Sequence, residues 1–317
     1  MPLKIDELLQ NRTVFVLGAG SSKDYNFPLW EELKPEFLKR IVNYQDTFGE
    51  EAVQYWTDAL NSDQGKSVDF LAHKALPAGQ ELFQFVIGDI LLECENSDAQ
   101  SKSERWIEIF CQKLLGLGLN SETSDLLQNL SFVNFNYDRC FDQRYLNNFI
   151  KPLWNSFPSK WTRLQSYQSL NGELAPFCSI PHPHGTLGAI GLFSKGEKVF
   201  ANYSYTFYNP EEVVNLDYGD LQEFEKLKSN DDLKYLPVDA FLGQKEPYTL
   251  NNDSYRQATD RINTASNVII IGMSNPGWSQ QLIEKNSDAT YWSTSMSAIA
   301  DYVECLGMYA EDFVSNL

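Results

Sequence analysis

The stretch TVFVLGAGSSKDYNFPLW, residues 13 to 30, decides how the rest of the chain is read. Val14 to Leu17 are four consecutive apolar residues. A short continuous run of this kind reads as a strand buried on both faces, as in a parallel sheet. Gly18-Ala19-Gly20-Ser21-Ser22 follows without a break. Small residues directly after a buried strand let backbone amides approach a pyrophosphate, and the next helix offers the positive end of its dipole. A dinucleotide fingerprint needs a third glycine for close helix–strand packing, and Lys23 stands in its place. Taken alone, the stretch is a damaged dinucleotide loop, a different nucleotide loop, or an ordinary tight turn.

Two later stretches repeat the strand-turn-helix pattern. In SFVNFNYDRCFDQRYLNNFI, Ser131 to Phe135 read as a strand, Asn136 to Asp138 as the turn, and a helix runs from about Arg139. In NVIIIGMSNPGWSQQLIEK, Val268 to Ile271 are a buried strand, Gly272 the turn, and a helix follows from about Trp278. ATYWSTS reads as the last strand, SAIADYVECLGMYAEDFVSNL as a closing helix, and MPLKIDELLQNR as a short amphipathic helix. Between the first two strands, WEELKPEFLKRIVNY, EEAVQYWTDAL, QELFQFVIGDILLECE and SERWIEIFCQKLLGLGL space apolar residues at three and four, so residues 31–128 read as a helical insertion. DSYRQATDRINTA is a further helix, and residues 190–250, rich in Tyr, Asn, Asp and Pro, read as loops with short helices. The expectation is an α/β chain: a Rossmann-like parallel sheet with a large helical insertion after the first strand, residues 1–317 forming one domain. Ligands of such sheets sit beyond the carboxyl ends of the strands, at the switch point. The three turns are expected to converge there.

Bulk properties narrow the partners. The 317 residues carry 43 acidic and 25 basic side chains, a formal net charge of -18, which repels phosphate backbones and anionic membrane surfaces. Neither direct nucleic-acid binding nor membrane association is expected. No apolar run approaches the length of a membrane span, and the first residues carry no apolar secretory core. The five cysteines (Cys94, Cys111, Cys140, Cys178 and Cys305) form no Cys-x-x-Cys pair, so no structural zinc or other metal is expected, and scattered thiols suit a reducing cytoplasm.

Three further groups can carry chemistry. Asn136 and Asp138 at a strand's carboxyl end can orient a water and hold a ribose or an amide; equally, they make an Asx turn in which Asp138 caps the next helix. In His182-Pro183-His184-Gly185, a loop histidine has the pKa range of a general base. A metal pair of His182 and His184 has no Cys or third His to support it, and His73, in the amphipathic VDFLAHKAL, reads as structural. Ser274 and Asn275, after Gly272, are placed for a phosphate or ribose, or merely for a connection.

In this order (strand-Gly-Ala-Gly-x-Ser, helical insertion, strand-Asn-x-Asp, His-Gly, late strand-Gly-x-Ser) the motifs resemble the sirtuin superfamily over residues 13 to about 285. NFNYD resembles its catalytic Asn-x-Asp segment, HPHGTLG its catalytic His-Gly, and VIIIGMSNPGWSQQLI its late nucleotide-binding turn. Sirtuin deacylases carry two Cys-x-x-Cys pairs and an Ile-Pro-Asp-Phe-Arg-like segment, both missing here, where DYNFPLW occupies the latter position. In lacking them the chain is similar to the zinc-free sirtuin-like NAD hydrolases of bacterial antiphage defence, with Asn26-Phe27-Pro28-Leu29 replacing a Gly-x-Pro-Leu opening. That resemblance implies cleavage of NAD to nicotinamide and ADP-ribose, with NAD as substrate and no metal. It also implies a homo-oligomer or a separate sensor protein as partner, and NAD depletion leading to abortive infection. It casts Asn136 as orienting the water or ribose, His184 as general base, and Asp138 as holding the nicotinamide amide or stabilising charge on the ribose. Gly18, Ala19, Gly20 and Ser22 would line the diphosphate, and Gly272 and Ser274 would approach the adenosine side. The alternatives are a non-catalytic nucleotide-binding scaffold and an NAD-dependent protein deacylase. A dehydrogenase would want the third glycine and an acidic residue after the second strand.

Overall fold

The computed structural model describes residues 4–62, 71–72, 74–98, 105–156, 177, 179–183, 204–206, 253–273, 288–294, 303–306 and 309–317. Three strands form the buried centre: β1 (Thr13–Leu17) and, after the pair β3 (Ser179–Pro181) and β4 (Ser204–Thr206), β5 (Asn267–Ile271) carry continuous apolar runs, and β2 (Leu130–Asn134) is buried along its whole length. With β6 (Thr290–Ser293) and β7 (Val303–Cys305) they form a five-stranded sheet in the order β2-β1-β5-β6-β7. Every pairing in it is parallel. The central register sets Phe15 beside Phe132 and Ile269, and Leu17 beside Asn134 and Ile271. The chain leaves β1 toward β2 on one side and returns to β5 on the other. The switch point of this α/β, Rossmann-like sheet is therefore the gap between the ends of β1 and β5.

Successive side chains of a strand point to opposite faces, and here both faces are buried. Phe15, Leu17, Phe132, Ile269 and Ile271 belong to one hydrophobic cluster. Val14, Val16, Val133, Val268 and Ile270 belong to another. The first face is covered by the helices that follow β1: α2 (Trp30–Ile41), α3 (Gln45–Phe48), α4 (Glu50–Ser62), α5 (Pro77–Asp98) and α6 (Trp106–Leu119), the short α1 (Ile5–Leu8) preceding the strand. Trp56, stacked on Phe83 with centroids 5.1 Å apart, and Trp106 are both fully buried there. After β2 the chain makes α7 (Cys140–Tyr145), a π-helical turn at Leu146–Ile150, and α8 (Lys151–Ser156). The second face is covered by α9 (Asp253–Thr264), through Tyr255, Ala258 and Ile262. α10 (Ala310–Asn316) closes the chain against α6.

Two expectations are corrected. Among the described residues, the closing helix expected over SAIADYVECLGMYAEDFVSNL is helical in α10 alone, and Val303–Cys305 is instead a strand that adds to β6 in register, Trp292 beside Glu304. The unpaired backbone edge of β6 outweighs a helical apolar spacing, as tertiary pairing does for short segments. Within the span read as loops with short helices, Ser204–Thr206 is a strand, held by antiparallel pairing with β3. The helix expected from Trp278 lies outside the described residues. Among the described residues no helix is long and apolar enough to cross a membrane.

Candidate functional site

The turns after β1 and β5 are built from backbone. The Gly18 amide donates to the Ile271 carbonyl at 2.9 Å and the Gly20 amide to the Gly272 carbonyl at 2.7 Å. Gly272 has φ +69°, and a Cβ there would lie 2.0 Å from the Ser21 nitrogen. A Cβ on Gly20 would lie 2.8 Å from the Gly272 carbonyl oxygen. These glycines are required by the crossing of two turns, whatever else they do. The Gly18 and Gly20 amides are engaged by the end of β5 and the turn after it, so they line the switch point by close approach of backbone. From Ala19 to Tyr25 the chain is a 3-10 helix, ended by Asn26 in the left-handed region at φ 64°. Ala19 is exposed, whereas Ser21 and Ser22 are buried.

The turn after β2 is built from side chains. The buried Asn136 donates through Nδ2 to Ser21 Oγ at 3.0 Å and to Ser22 Oγ at 3.2 Å. Ser22 Oγ donates to Asp138 Oδ1 at 2.9 Å, and the Cys140 amide donates to the same oxygen at 3.0 Å. A serine hydroxyl has one proton. Ser22 gives its proton to Asp138 and only accepts from Asn136. That fixes the Asn136 amide with nitrogen toward the serines and Oδ1 away from them. Asn136 Oδ1 is buried and has no hydrogen-bond partner; Gln143 Oε1, on α7, is the other such buried side-chain atom among the described residues. Buried acceptors without a donor are uncommon and call for an explanation.

Asp138 is 5% exposed, and burial pushes its carboxyl up to about 7, against the bonds from Cys140 and Ser22, which favour the ionised form; Glu95 and Asp142 add to the rise. The Asx turn foreseen at Asp138 is present in its bond to the Cys140 amide, but α7 begins at Cys140 with Arg139 rather than Asp138 at its N-cap, and the bond to Ser22 comes in addition. One carboxylate thus serves a local turn and ties the β2 turn to the β1 turn.

The helices after β1 grip both turns. Trp106 Nε1 donates to the Ser21 carbonyl at 2.8 Å. Tyr25 donates to Glu108 at 2.8 Å and accepts from the Ile107 amide at 2.9 Å; burial, with Glu108 beside it, pushes its phenol well above the usual range. Arg144 donates to Glu108 at 2.8 Å. Arg139 and Glu95 form an ion pair at 2.5 Å, each side chain 1% exposed, which ties the residue after Asp138 to α5. Breaking such a pair costs about 3–5 kcal/mol because it strands a buried charge.

His182 follows β3 and is fully buried. Its Nδ1 lies 3.1 Å from the Asn136 carbonyl oxygen and its Nε2 lies 2.9 Å from Asp142 Oδ1. Of the expected site residues, the structure brings Gly18, Ala19, Gly20, Ser22, Asn136, Asp138 and Gly272 to one end of the sheet, while His184 and Ser274 lie outside the described residues, as does His73, which reads as structural. Sequence reasoning gave no role of their own to Ser21, Asn134, Asp142 or the α5–α6 contacts, and weighed His182 as one of a metal pair or as a surface or hydrogen-bonded loop histidine, of which the structure shows the hydrogen-bonded one. One signal was available: Asn134 is a polar residue directly after the apolar pair Phe132-Val133 at the end of a strand, and Asp142 stands four residues after Asp138. No group of three or more metal-ligating side chains occurs among the described residues.

No protein-family model and no curated protein sequence matches the chain. Solved structures similar to it include a Sir2 enzyme with a p53 peptide and NAD+, at 14% identity and TM-score 0.45 over 98% of this chain and 93% of that one. Sir2Tm bound to a propionylated peptide aligns at 15% identity and TM-score 0.45 over 98% and 93%. A structure of Sir2 enzymes described for their mechanism and regulation aligns at 12% identity and TM-score 0.48 over 98% and 92%. At these values the likeness assigns no activity.

Proposed function

We propose that the chain is an NAD+ glycohydrolase that cleaves the bond between ribose C1′ and the nicotinamide nitrogen. The observation that carries this reading is the buried, unfilled acceptor Oδ1 of Asn136, a residue whose Nδ2 bonds Ser21 and Ser22 next to the β1–β5 switch point. The motif order Gly-Ala-Gly-x-Ser, Asn-x-Asp, His-Gly supports it. The C–N bonding pair leaves with nicotinamide, which departs neutral, and positive charge develops on the ribose. Asn136 Oδ1 accepts a hydrogen bond from a ribose hydroxyl or the attacking water. Asp138 holds the nicotinamide amide or faces the developing cation, which favours its ionised form. His184 takes the proton that the water releases as its oxygen bonds to C1′. Backbone at Gly18, Ala19 and Gly20 and the Ser22 hydroxyl line the diphosphate, and Gly272 with Ser274 approaches the adenosine side. The cellular role is that of an effector in antiphage defence, held in a homo-oligomer or by a separate sensor protein until NAD depletion is triggered.

The test is chromatography of NAD products from wild type, Asn136→Ala and His184→Ala, with and without proteins encoded beside this chain. Wild type should release nicotinamide and ADP-ribose, and both variants should stay folded and lose at least about 100-fold in rate. NAD binding without turnover under every condition points to a scaffold. Turnover only with an acyl-lysine peptide points to a deacylase. A variant that keeps the wild-type rate removes the role assigned to its residue.

A further inference from the structure

Asp142, on α7, is fully buried and joins two side chains. Its Oδ2 accepts from Asn134 Nδ2 at 3.1 Å, and its Oδ1 meets His182 Nε2 at 2.9 Å. Both partners reach the same residue. Asn134 Oδ1 accepts from the Asn136 amide at 3.0 Å, and His182 Nδ1 faces the Asn136 carbonyl at 3.1 Å. The Asn136 backbone is thus held at its N–H and its C=O by two side chains that converge on one carboxylate. A carbonyl only accepts, so His182 Nδ1 carries a proton. Asp142, on the other side of the ring, meets Nε2 in either role, accepting from it as a carboxylate or donating to it as an acid, so the Nδ1 proton follows from the carbonyl alone.

We infer that Asp142, Asn134 and His182 are positioning residues: a closed hydrogen-bonded frame that fixes the Asn136 peptide and thereby aims its unfilled Oδ1 at the substrate. The inference deepens the reading of the chain as an NAD hydrolase and rests on it for the identity of that substrate. The serines restrain the amide nitrogen of Asn136, and the frame restrains its backbone. A side chain held at both ends loses little freedom when the reaction needs it, whereas a misplacement of about 1 Å can cost about 100-fold in rate. The frame works through hydrogen bonds, and a neutral amide can replace its carboxylate. In Asp142→Asn, the remaining side-chain oxygen accepts from Asn134, as Oδ2 does in the wild type, and the amide nitrogen takes the place of Oδ1 and donates to His182 Nε2. The ring then keeps its proton on Nδ1 for the Asn136 carbonyl.

The experiment compares Asp142→Asn, Asp142→Ala and His182→Ala in the full chain by two readouts. The first is kcat and KM for NAD. Asp142→Ala and His182→Ala should lose about 30–100-fold in kcat with KM within about threefold, and Asp142→Asn should stay within about fivefold of wild type in both. The second needs no activity: with only three histidines in the chain, selective ¹⁵N labelling reads the His182 ring. Wild type and Asp142→Asn should show a slowly exchanging proton on Nδ1, and Asp142→Ala should lose it. Asp142→Asn as impaired as Asp142→Ala, or a His182 ring whose Nδ1 proton exchanges freely in wild type, overturns the inference. Wild-type kcat in both alanine variants also overturns it. The expected ring signals in a protein that never turns over NAD leave the frame standing and sink the hydrolase reading.

Discussion

The turn after β1 and the turn after β2 lie side by side at the carboxyl end of the sheet, yet they are held by opposite means. The first is closed by backbone: Gly18 and Gly20 bond to the carbonyls of Ile271 and Gly272, at distances that leave no room for a Cβ. The second is closed by side chains, with Asn134, Asn136, Asp138, Asp142 and His182 all buried and hydrogen-bonded. Backbone-on-backbone contact is rigid and tolerates no substituent. A side-chain network tolerates isosteric exchange, and it can leave one group, Asn136 Oδ1, waiting for a donor. Stability should therefore be concentrated in the glycine turn and function in the asparagine turn.

The largest effect should fall on the glycine turn. Gly272→Ala forces a side chain into the left-handed region and 2.0 Å from the Ser21 nitrogen. The variant should lose more than about 4 kcal/mol of stability and fail to accumulate as folded protein, read by denaturant titration. If it melts like wild type, the two turns do not cross as described.

Asn136→Ala should do the reverse. The NAD turnover rate is expected to fall about 100–1000-fold, while stability changes by about 1 kcal/mol. Equal losses of stability in both turns would erase the contrast between them.

Asp138 offers a graded comparison within the second turn. Its folded pKa, about 7, lies above the ordinary carboxylate value of 3.8. Between those values the folded state keeps a proton that the unfolded state has lost. Stability from this group is thus full at low pH, declines as pH rises from about 4 to about 7, and is level above that. Asp138→Asn keeps an acceptor for Ser22 and Cys140 and removes the buried charge. Its melting temperature should exceed that of wild type by several degrees at pH 8, with the gap closing toward pH 4. A gap that widens on acidification contradicts the sign.

The smallest effect belongs to Lys23, which pairs with Glu32 on the exposed side of the first turn. Exposed ion pairs contribute little, and Lys23→Ala should leave the melting temperature unchanged within error.

Much of the frame was legible because burial writes itself into composition. The apolar runs at Val14–Leu17 and Val268–Ile271, each ended by a glycine, read as interior strands, and the three-and-four spacing between residues 30 and 119 marks the helices that cover them. The positions of Asn136 and Asp138 followed from the end of a strand. Their partners did not, because Ser22 lies 116 residues from Asp138 and His182 lies 40 residues from Asp142 in the chain. Periodicity is local, and no local pattern encodes such pairs. The strand at Val303–Cys305 was misread for the same reason: three residues carry too little pattern to outweigh a helical neighbourhood, and only the free edge of β6 selects the strand.

By itself, then, the sequence determined which segments are interior and where the chain must turn, since both follow from hydrophobicity and glycine content within a few residues. The tertiary structure alone decided that Gly20 and Gly272 need each other's missing side chains. It also decided that Trp106, Glu108 and Glu95 grip the two turns, and that Asp142 binds Asn134 and His182 around Asn136. Those are contacts between segments far apart along the chain, and their energy exists only once the parallel sheet has brought the strand ends together.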